Sequence, residues 1–294
     1  MSGAPAAIPP GPPVILCADD FAIAEGVSRG IEELASAGRL SATGAIVTGR
    51  LWTGHAVRLA ALRSRIAIGL HLNLTLGAPL GACPSLAPDG RFLSIGELSR
   101  KAVSGGIDTA EVEAEARRQL DCFVQRAGCA PDFLDGHQHA HALPRMRDGV
   151  LAALAAFAPA GGMLLRDPSD GLGAILARAQ SIKKAVGVKY LARGLRSAAR
   201  RAGLIVNEGF SGFSDYDTRR PYARELERGF RRTGHRHLMM CHPGYVDDEL
   251  RGLDPLTDRR EQELAALLAA KGLRERLWRP DRSSGAGIWQ AWPR

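Results

Sequence analysis

Val14-Ile15-Leu16-Cys17-Ala18-Asp19-Asp20 runs five apolar residues straight into two adjacent carboxylates. An apolar run of that length suits a buried parallel strand, and the acid pair marks the place where the strand surfaces. Residues 25–37 then read as a helix, and the pattern repeats outward from there. Strands are expected at 42–48 and 65–70 with a helix over 52–62 between them. A helix over 109–127 leads to a strand at 131–135, and further strands are expected at 163–165, 204–206 and 237–241. Short apolar runs separated by helix-length segments are what parallel strands joined by crossover helices require, so the chain reads as an α/β barrel or sheet. Residues 76–93, with several Gly, Pro and Ser, read as a long loop bordering a cleft.

The 294 residues suit one α/β barrel, a fold that commonly exceeds ~200 residues as a single unit. With no repeat of fixed period and no linker, a single domain over 14–294 is expected. A chain that is 45% hydrophobic and 24% charged is neither disordered nor fibrous. Its longest apolar stretches, such as residues 150–158, fall far short of the ~18–20 residues that span a bilayer. Residues 1–13 carry five prolines and no charged side chain. They read as a disordered leader rather than a secretory signal, which makes a cytoplasmic protein the expectation. The five cysteines, Cys17, Cys83, Cys122, Cys129 and Cys241, contain no C-x-x-C pair, so neither a disulfide framework nor a thiolate zinc cluster is indicated.

The net charge of +8 is local, because residues 171–207 hold eight Lys and Arg and no Asp or Glu. A solvated helix face explains such a segment. So does peripheral attachment to an anionic surface such as the inner membrane, or recognition of a phosphorylated or lipid-linked glycan. A rival reading of the whole chain is a basic membrane- or nucleic-acid-binding protein on an inactive barrel, with salt-sensitive polyanion binding.

The unusual polar residues fall at strand ends. Asp19 and Asp20 follow the first run, His71 and Asn73 the third, and Asp135, His137, His139 and His141 the fourth, while His242 ends the run near Met240. In parallel α/β folds the carboxyl ends of the strands open onto one face, where distant residues converge. Two neighbouring carboxylates at a buried strand end call for a compensating cation or hydrogen-bond donors, and a divalent metal and a helix cap are both adequate explanations. Alternate histidines at 137, 139 and 141 on extended chain would share one side, and imidazole is a common ligand of zinc. Taken alone, His71 reads as a hydrogen-bonded strand-end histidine. His242, before Pro243 and Gly244, is a turn histidine that near a reactive centre would donate a proton.

The set Ala18-Asp19-Asp20-Phe21, Gly69-Leu70-His71-Leu72-Asn73-Leu74-Thr75, Asp135-Gly136-His137-Gln138-His139-Ala140-His141 and Cys241-His242-Pro243 resembles the YdjC/ChbG-like carbohydrate deacetylases, a group that includes hopanoid-biosynthesis-associated deacetylases. The resemblance implies a distorted TIM-like α/β barrel, one divalent metal ion (Mg²⁺ or Zn²⁺), and removal of an N-acetyl group from an amino sugar such as an N-acetylglucosamine unit. It implies Asp20, His71 and His137 as metal ligands, Asp19 as catalytic base and His242 as general acid. Two departures stand out: Ala22 replaces the usual Gly, and Gln138 a common His.

Around that centre, Asp135 is expected to orient a ligating imidazole, and His139, His141 and Asn73 to contact substrate. Arg166 is expected to orient a carboxylate or touch substrate, with a surface strand-end arginine as the alternative. Residues 76–93 and 209–222, the latter with Phe210, Phe213, Tyr216 and Tyr222, are expected to wall the sugar pocket, and core packing explains the phenylalanines equally well. The expected partner is an N-acetylated amino sugar, with a homodimer and membrane contact through 171–207 as further expectations and no nucleic acid. Another metal-dependent hydrolase, such as a phosphoesterase, is the alternative within enzymes.

Overall fold

Side chains alternate along a strand, and that alternation sorts β1 (Val14–Phe21) into two faces. Val14, Leu16 and Ala18 join the outer core with Val27, Ile31 and Leu34 of α1 (Glu25–Ser36), while Ile15 and Cys17 join the inner core with Ala67, Phe133, Leu238 and Met240. The remaining strands are β2 (Ala42–Ala45), β3 (Ala67–Leu72), β4 (Phe133–Gly136), β5 (Leu164–Leu165), β6 (Ile205–Val206), β7 (Gly209–Ser211) and β8 (His237–Cys241). This computed structural model describes residues 4–157, 162–254, 257–283, 287–290 and 292.

The eight strands form one sheet in the order β6-β5-β4-β3-β2-β1-β8-β7, all neighbours parallel. Laid flat, its edges would lie roughly 34 Å apart at ~4.8 Å per strand. The edge strands β6 and β7 are separated only by Asn207 and Glu208, a span of at most about 11 Å. The sheet therefore curls until its edges meet, joined by backbone rather than by a ladder. Asn207 staples this seam: its Nδ2 donates to the Asp167 carbonyl at 2.8 Å and the Gly209 carbonyl at 3.0 Å, and its Oδ1 accepts from the Asp167 N–H at 2.8 Å. The fold is a distorted TIM-like α/β barrel in a single domain.

Helices cover the outside. After α1 come α2 (Trp52–Leu62), α3 (Ile95–Ser104), α4 (Thr109–Ala127) and α5 (Met146–Phe157). The acid-free segment forms three short helices, α6 (Leu172–Arg178), α7 (Ile182–Leu191) and α8 (Leu195–Arg201), where one or two were expected. Then follow α9 (Tyr222–Gly229), α10 (Asp248–Leu253), α11 (Arg260–Ala269) and α12 (Leu273–Arg276). None of the described helices is long and apolar enough to cross a membrane.

The amino-terminal end of the barrel is sealed by Trp278, Trp289 and Trp292. Trp278 and Trp289 stack at 4.8 Å, the Trp278 N–H donates to the Val14 carbonyl, and the Trp289 indole donates to the Asp132 carbonyl. Inside, Gly69 leaves room for the Phe133 ring, which a Cβ there would approach to 2.5 Å.

Two sequence expectations need correction. Residues 6–12, read as part of a disordered leader, lie against the barrel: Ala6 is buried, Ala7 bridges Lys271, and Arg276 donates to the Pro9 and Pro12 carbonyls. Apolar burial and spare carbonyls of a proline-rich segment tie it down, while residues 1–3 lie outside the described residues. The loop 76–93 does not wall the cleft. Its backbone is held by acids of α4, with the Leu80 N–H on Glu115 at 3.0 Å and the Ser85 N–H on Glu111 at 2.7 Å.

Candidate active site

Asp19 and Asp20 are consecutive on β1, and a regular strand would aim them at opposite faces. The register between β1 and β2 shifts between Ala18 and Phe21, and Asp20 sits at φ 72°, in the left-handed region that L-residues avoid. This bulge turns both carboxylates into one cavity of about 340 Å³ at the carboxyl end of the barrel. Ala22 follows at φ 67°, which gives the physical reason a glycine would be at ease there.

On the next strands, His71 and Asp135 are register partners. The His71 Nδ1 lies 2.7 Å from Asp135 Oδ1, leaving its Nε2 3.4 Å from Asp20 Oδ1. His137, just after β4, brings its Nδ1 to 3.0 Å from the same oxygen. The expected extended chain is corrected here: residues 137–142 form a 3₁₀ turn with Gln138 and His139 at φ 53° and 60°. The three imidazoles of that run consequently do not share a side.

Arginines neutralise the acids from behind. Arg166 is fully buried, not a surface residue, and donates to both Asp19 oxygens, Nη1 to Oδ2 at 2.6 Å and Nη2 to Oδ1 at 2.7 Å, while also contacting Asp135. Arg260 Nη2 reaches Asp20 Oδ2 at 2.7 Å and Asp254 at 2.8 Å. Burial pushes the Asp19 and Asp20 carboxyls up, but Arg166 beside Asp19 and Arg260 beside Asp20 outweigh it and hold both well below the ordinary range. Burial likewise opposes charge on His71, yet Asp135 and Asp19 carry its imidazole up to about 10.

His242 ends β8. Its backbone N–H donates to Glu263 Oε2 at 2.6 Å, and its Nε2 lies 3.9 Å from Asp19 Oδ2. Burial pushes this imidazole down to about 4 against the pull of Asp20 and Asp19. The Glu263 carboxyl is pushed up to about 7 by burial, partly offset by its bond from the His242 N–H and by Arg260.

Asp19, Asp20, His71, His137, His139 and His242 all line the cavity, with Gln138, Lys184, Tyr216 and Arg260. The other expected contacts lie outside its lining. His141 is buried with Nε2 2.8 Å from the Arg166 carbonyl, and Asn73 is spent on Thr48 and the backbone of residues 75 and 76. Of the two roles expected for Arg166, its contacts match the orienting of carboxylates. Phe210 and Phe213 belong to the inner core, where the edge of His139 meets both rings at about 5.5 Å.

Donor atoms of Asp20, His71 and His137 lie within 4.8 Å of one another. Two imidazoles and a carboxylate, one imidazole already steadied by Asp135 through its far nitrogen, fit a divalent cation of the zinc or magnesium kind. Sequence reasoning missed Arg260 and Glu263. Their signal was weak but present: Arg260, Glu263, Leu264 and Leu267 form the buried stripe of α11, so two charged residues occupy core positions of an amphipathic helix.

Comparison with known proteins agrees with this fold. The crystal structure of an Enterococcus faecalis V583 protein, named as a proposed cellobiose-phosphate cleavage protein, superposes with a TM-score of 0.70 at 20% identity, covering 94% of this chain and all of that one. A chitooligosaccharide deacetylase of Klebsiella pneumoniae subsp. pneumoniae is 30% identical over 270 residues, 89% of this chain and 96% of the relative. A carbohydrate deacetylase of Homo sapiens is 32% identical over 248 residues, 79% and 75% of the two chains. The YdjC-like protein family matches residues 13–276, and the chain belongs to that family.

Proposed function

We propose that the protein is a carbohydrate deacetylase that hydrolyses the N-acetyl group of an amino sugar of the chitooligosaccharide type, giving acetate and the free amine. The observation that carries this reading is the convergence of Asp19, Asp20, His71, His137 and His242 on one cavity. The names of the Klebsiella and human relatives support the same chemistry. Asp20, His71 and His137 would hold a single divalent cation, zinc or magnesium. Held there, such an ion supplies Lewis acidity for the acetyl carbonyl and for the attacking water.

The chain's own residues handle the proton. Asp19, fixed by both arms of Arg166, takes a proton as the water oxygen attacks the acetyl carbon. Its depressed pKa makes the protonated acid a ready donor, and neutral His242, 3.9 Å away, is the group best placed to receive it through one bridging water. His242 then delivers the proton to the sugar nitrogen as the C–N bond breaks, so the amine leaves neutral and the water oxygen, still carrying its second proton, departs in acetic acid, which ionises to acetate in solvent. Asp135 steadies His71, and Glu263 fixes the backbone at His242. His139, Gln138 and Tyr216 on the cavity wall are the residues placed to meet sugar hydroxyls and faces.

Acetate release from N-acetylated chitooligosaccharides, measured beside phosphate release from phosphoesters, tests the proposal. Acetate formation that disappears in the Asp19→Asn variant is expected. Phosphate release without acetate would replace it with the phosphoesterase reading.

A further inference from the structure

Exposed large hydrophobic side chains concentrate in one place. Among the described residues Leu172, Leu176, Ile182, Val186 and Tyr190 are all exposed, Leu176 by 59% and Tyr190 by 65%. Leu172 and Leu176 are four residues apart on α6, and Ile182, Val186 and Tyr190 are successive four-residue steps on α7, so each set forms a stripe on one face of its helix. Leu172, Val186 and Tyr190 also wall an open groove of about 490 Å³, and Lys189, Arg193 and Arg196 share its walls.

The charge around this stripe is net positive, and Asp167, the acid on the groove wall, is paired with Arg196. Half of the eight cations of residues 171–207 are used within the fold: Arg178 pairs with Asp170, Arg196 with Asp167 and Arg200 with Glu208, and Lys189 donates to the Asp170 carbonyl. Lys183, Lys184, Arg193 and Arg201 form no ion pair among the described residues, although Arg193 lies over the Tyr190 ring at 5.0 Å and Lys184 over the Tyr216 ring at 4.7 Å.

An occupant of this face must accept apolar side chains and neutralise cations. A nucleic-acid backbone offers nothing to Leu176 or Val186. A second copy of the chain would set basic residues against basic residues. An anionic bilayer surface offers both, apolar chains below and phosphates above. The face is also close to the chemistry, because Lys184 and Val188 on another side of α7 line the active-site cavity.

We propose that α6 and α7 dock the protein on anionic lipid bilayers, with the exposed stripe entering the headgroup region and Lys183 and Arg193 set against lipid phosphates. Docking there would hold the cavity close to the membrane surface. The inference stands independently of the deacetylase reading.

Vesicle co-sedimentation of the full chain tests it, with phosphatidylcholine vesicles compared with vesicles also containing phosphatidylglycerol. Binding is expected to be about tenfold or more tighter with phosphatidylglycerol and to fade as salt is raised. The double variant Leu176→Asp/Tyr190→Asp should weaken binding about tenfold or more by removing apolar insertion. Lys183→Gln and Arg193→Gln should weaken it about fivefold each. Acetate release from soluble chitooligosaccharides should be unchanged in these variants, so loss of docking is read separately from loss of chemistry. Absent binding, equal binding to both vesicle types, or patch variants that bind like the parent would overturn the proposal. So would a dimer in solution that Leu176→Asp/Tyr190→Asp dissociates, which would make a second copy the occupant.

Discussion

Arg166 holds Asp19 with two parallel hydrogen bonds of 2.6 and 2.7 Å, both residues buried at the carboxyl end of the barrel. A forked guanidinium on a carboxylate fixes direction as well as charge. The Oδ2 that accepts from Arg166 Nη1 is also the Asp19 oxygen 3.9 Å from His242 Nε2.

Replacing Arg166 by Met leaves Asp19 and Asp135 buried without their common cation, and the expected cost is about 3–5 kcal/mol of stability. Arg166→Lys keeps the charge and loses the fork, so it should fold better than Arg166→Met while turning over more slowly than the parent. Denaturant unfolding beside acetate release checks both, and a fully active Arg166→Met variant would show that Asp19 needs no anchoring.

Asp19→Asn should keep bound metal but lose turnover by about 10²–10⁴-fold, the usual worth of a positioned proton acceptor. Asp20→Ala, His71→Ala and His137→Ala should lose metal and turnover together. Metal content measured on the same preparations separates the two classes, and a His137→Ala protein with unchanged metal content would remove His137 from the ligand set.

Prolonged dialysis against a chelator should abolish acetate release, and adding zinc or magnesium back should restore it. Far-ultraviolet circular dichroism should stay unchanged, because both hydrophobic cores are closed by side chains alone. Activity that survives exhaustive chelation would contradict the metal assignment.

Glu263 gives a pH signature of stability. Its carboxyl is pushed up to about 7 from an ordinary 4.5, first by burial, so the folded chain holds this proton more tightly than the unfolded chain. Stability from this group is therefore full below about 4.5 and is lost as pH rises through about 7, an effect of up to about 3 kcal/mol. Glu263→Gln removes the titration while keeping an oxygen for the His242 N–H. Its melting temperature relative to the parent should climb between pH 5 and pH 8, and a pH-independent difference would show that Glu263 does not titrate in that window.

Much of the barrel was legible because buried parallel strands are apolar runs, and those at 14–18 and 237–241 appear where the sequence puts them. Three polar residues were misjudged by a residue or two: Asp19, Asp20 and His71 lie on their strands rather than beyond them. Periodicity could not reveal the bulge at Asp20, since positive φ in a non-glycine residue leaves no mark in composition. It is this bulge that brings Asp19 and Asp20 to one side. Strand β7 was missed because Gly209–Ser211 is short and weakly apolar. Arg260 and Glu263 were hidden because charged residues on a helix ordinarily face water, and only tertiary packing shows these two turned inward.

The tryptophan seal at the amino-terminal end of the barrel has a consequence for biosynthesis. Trp278, Trp289 and Trp292 leave the ribosome after every strand they cover. All eight strands are thus synthesised before the residues that close their base, and the inner core is shut off from water only once Trp278, Trp289 and Trp292 are in place.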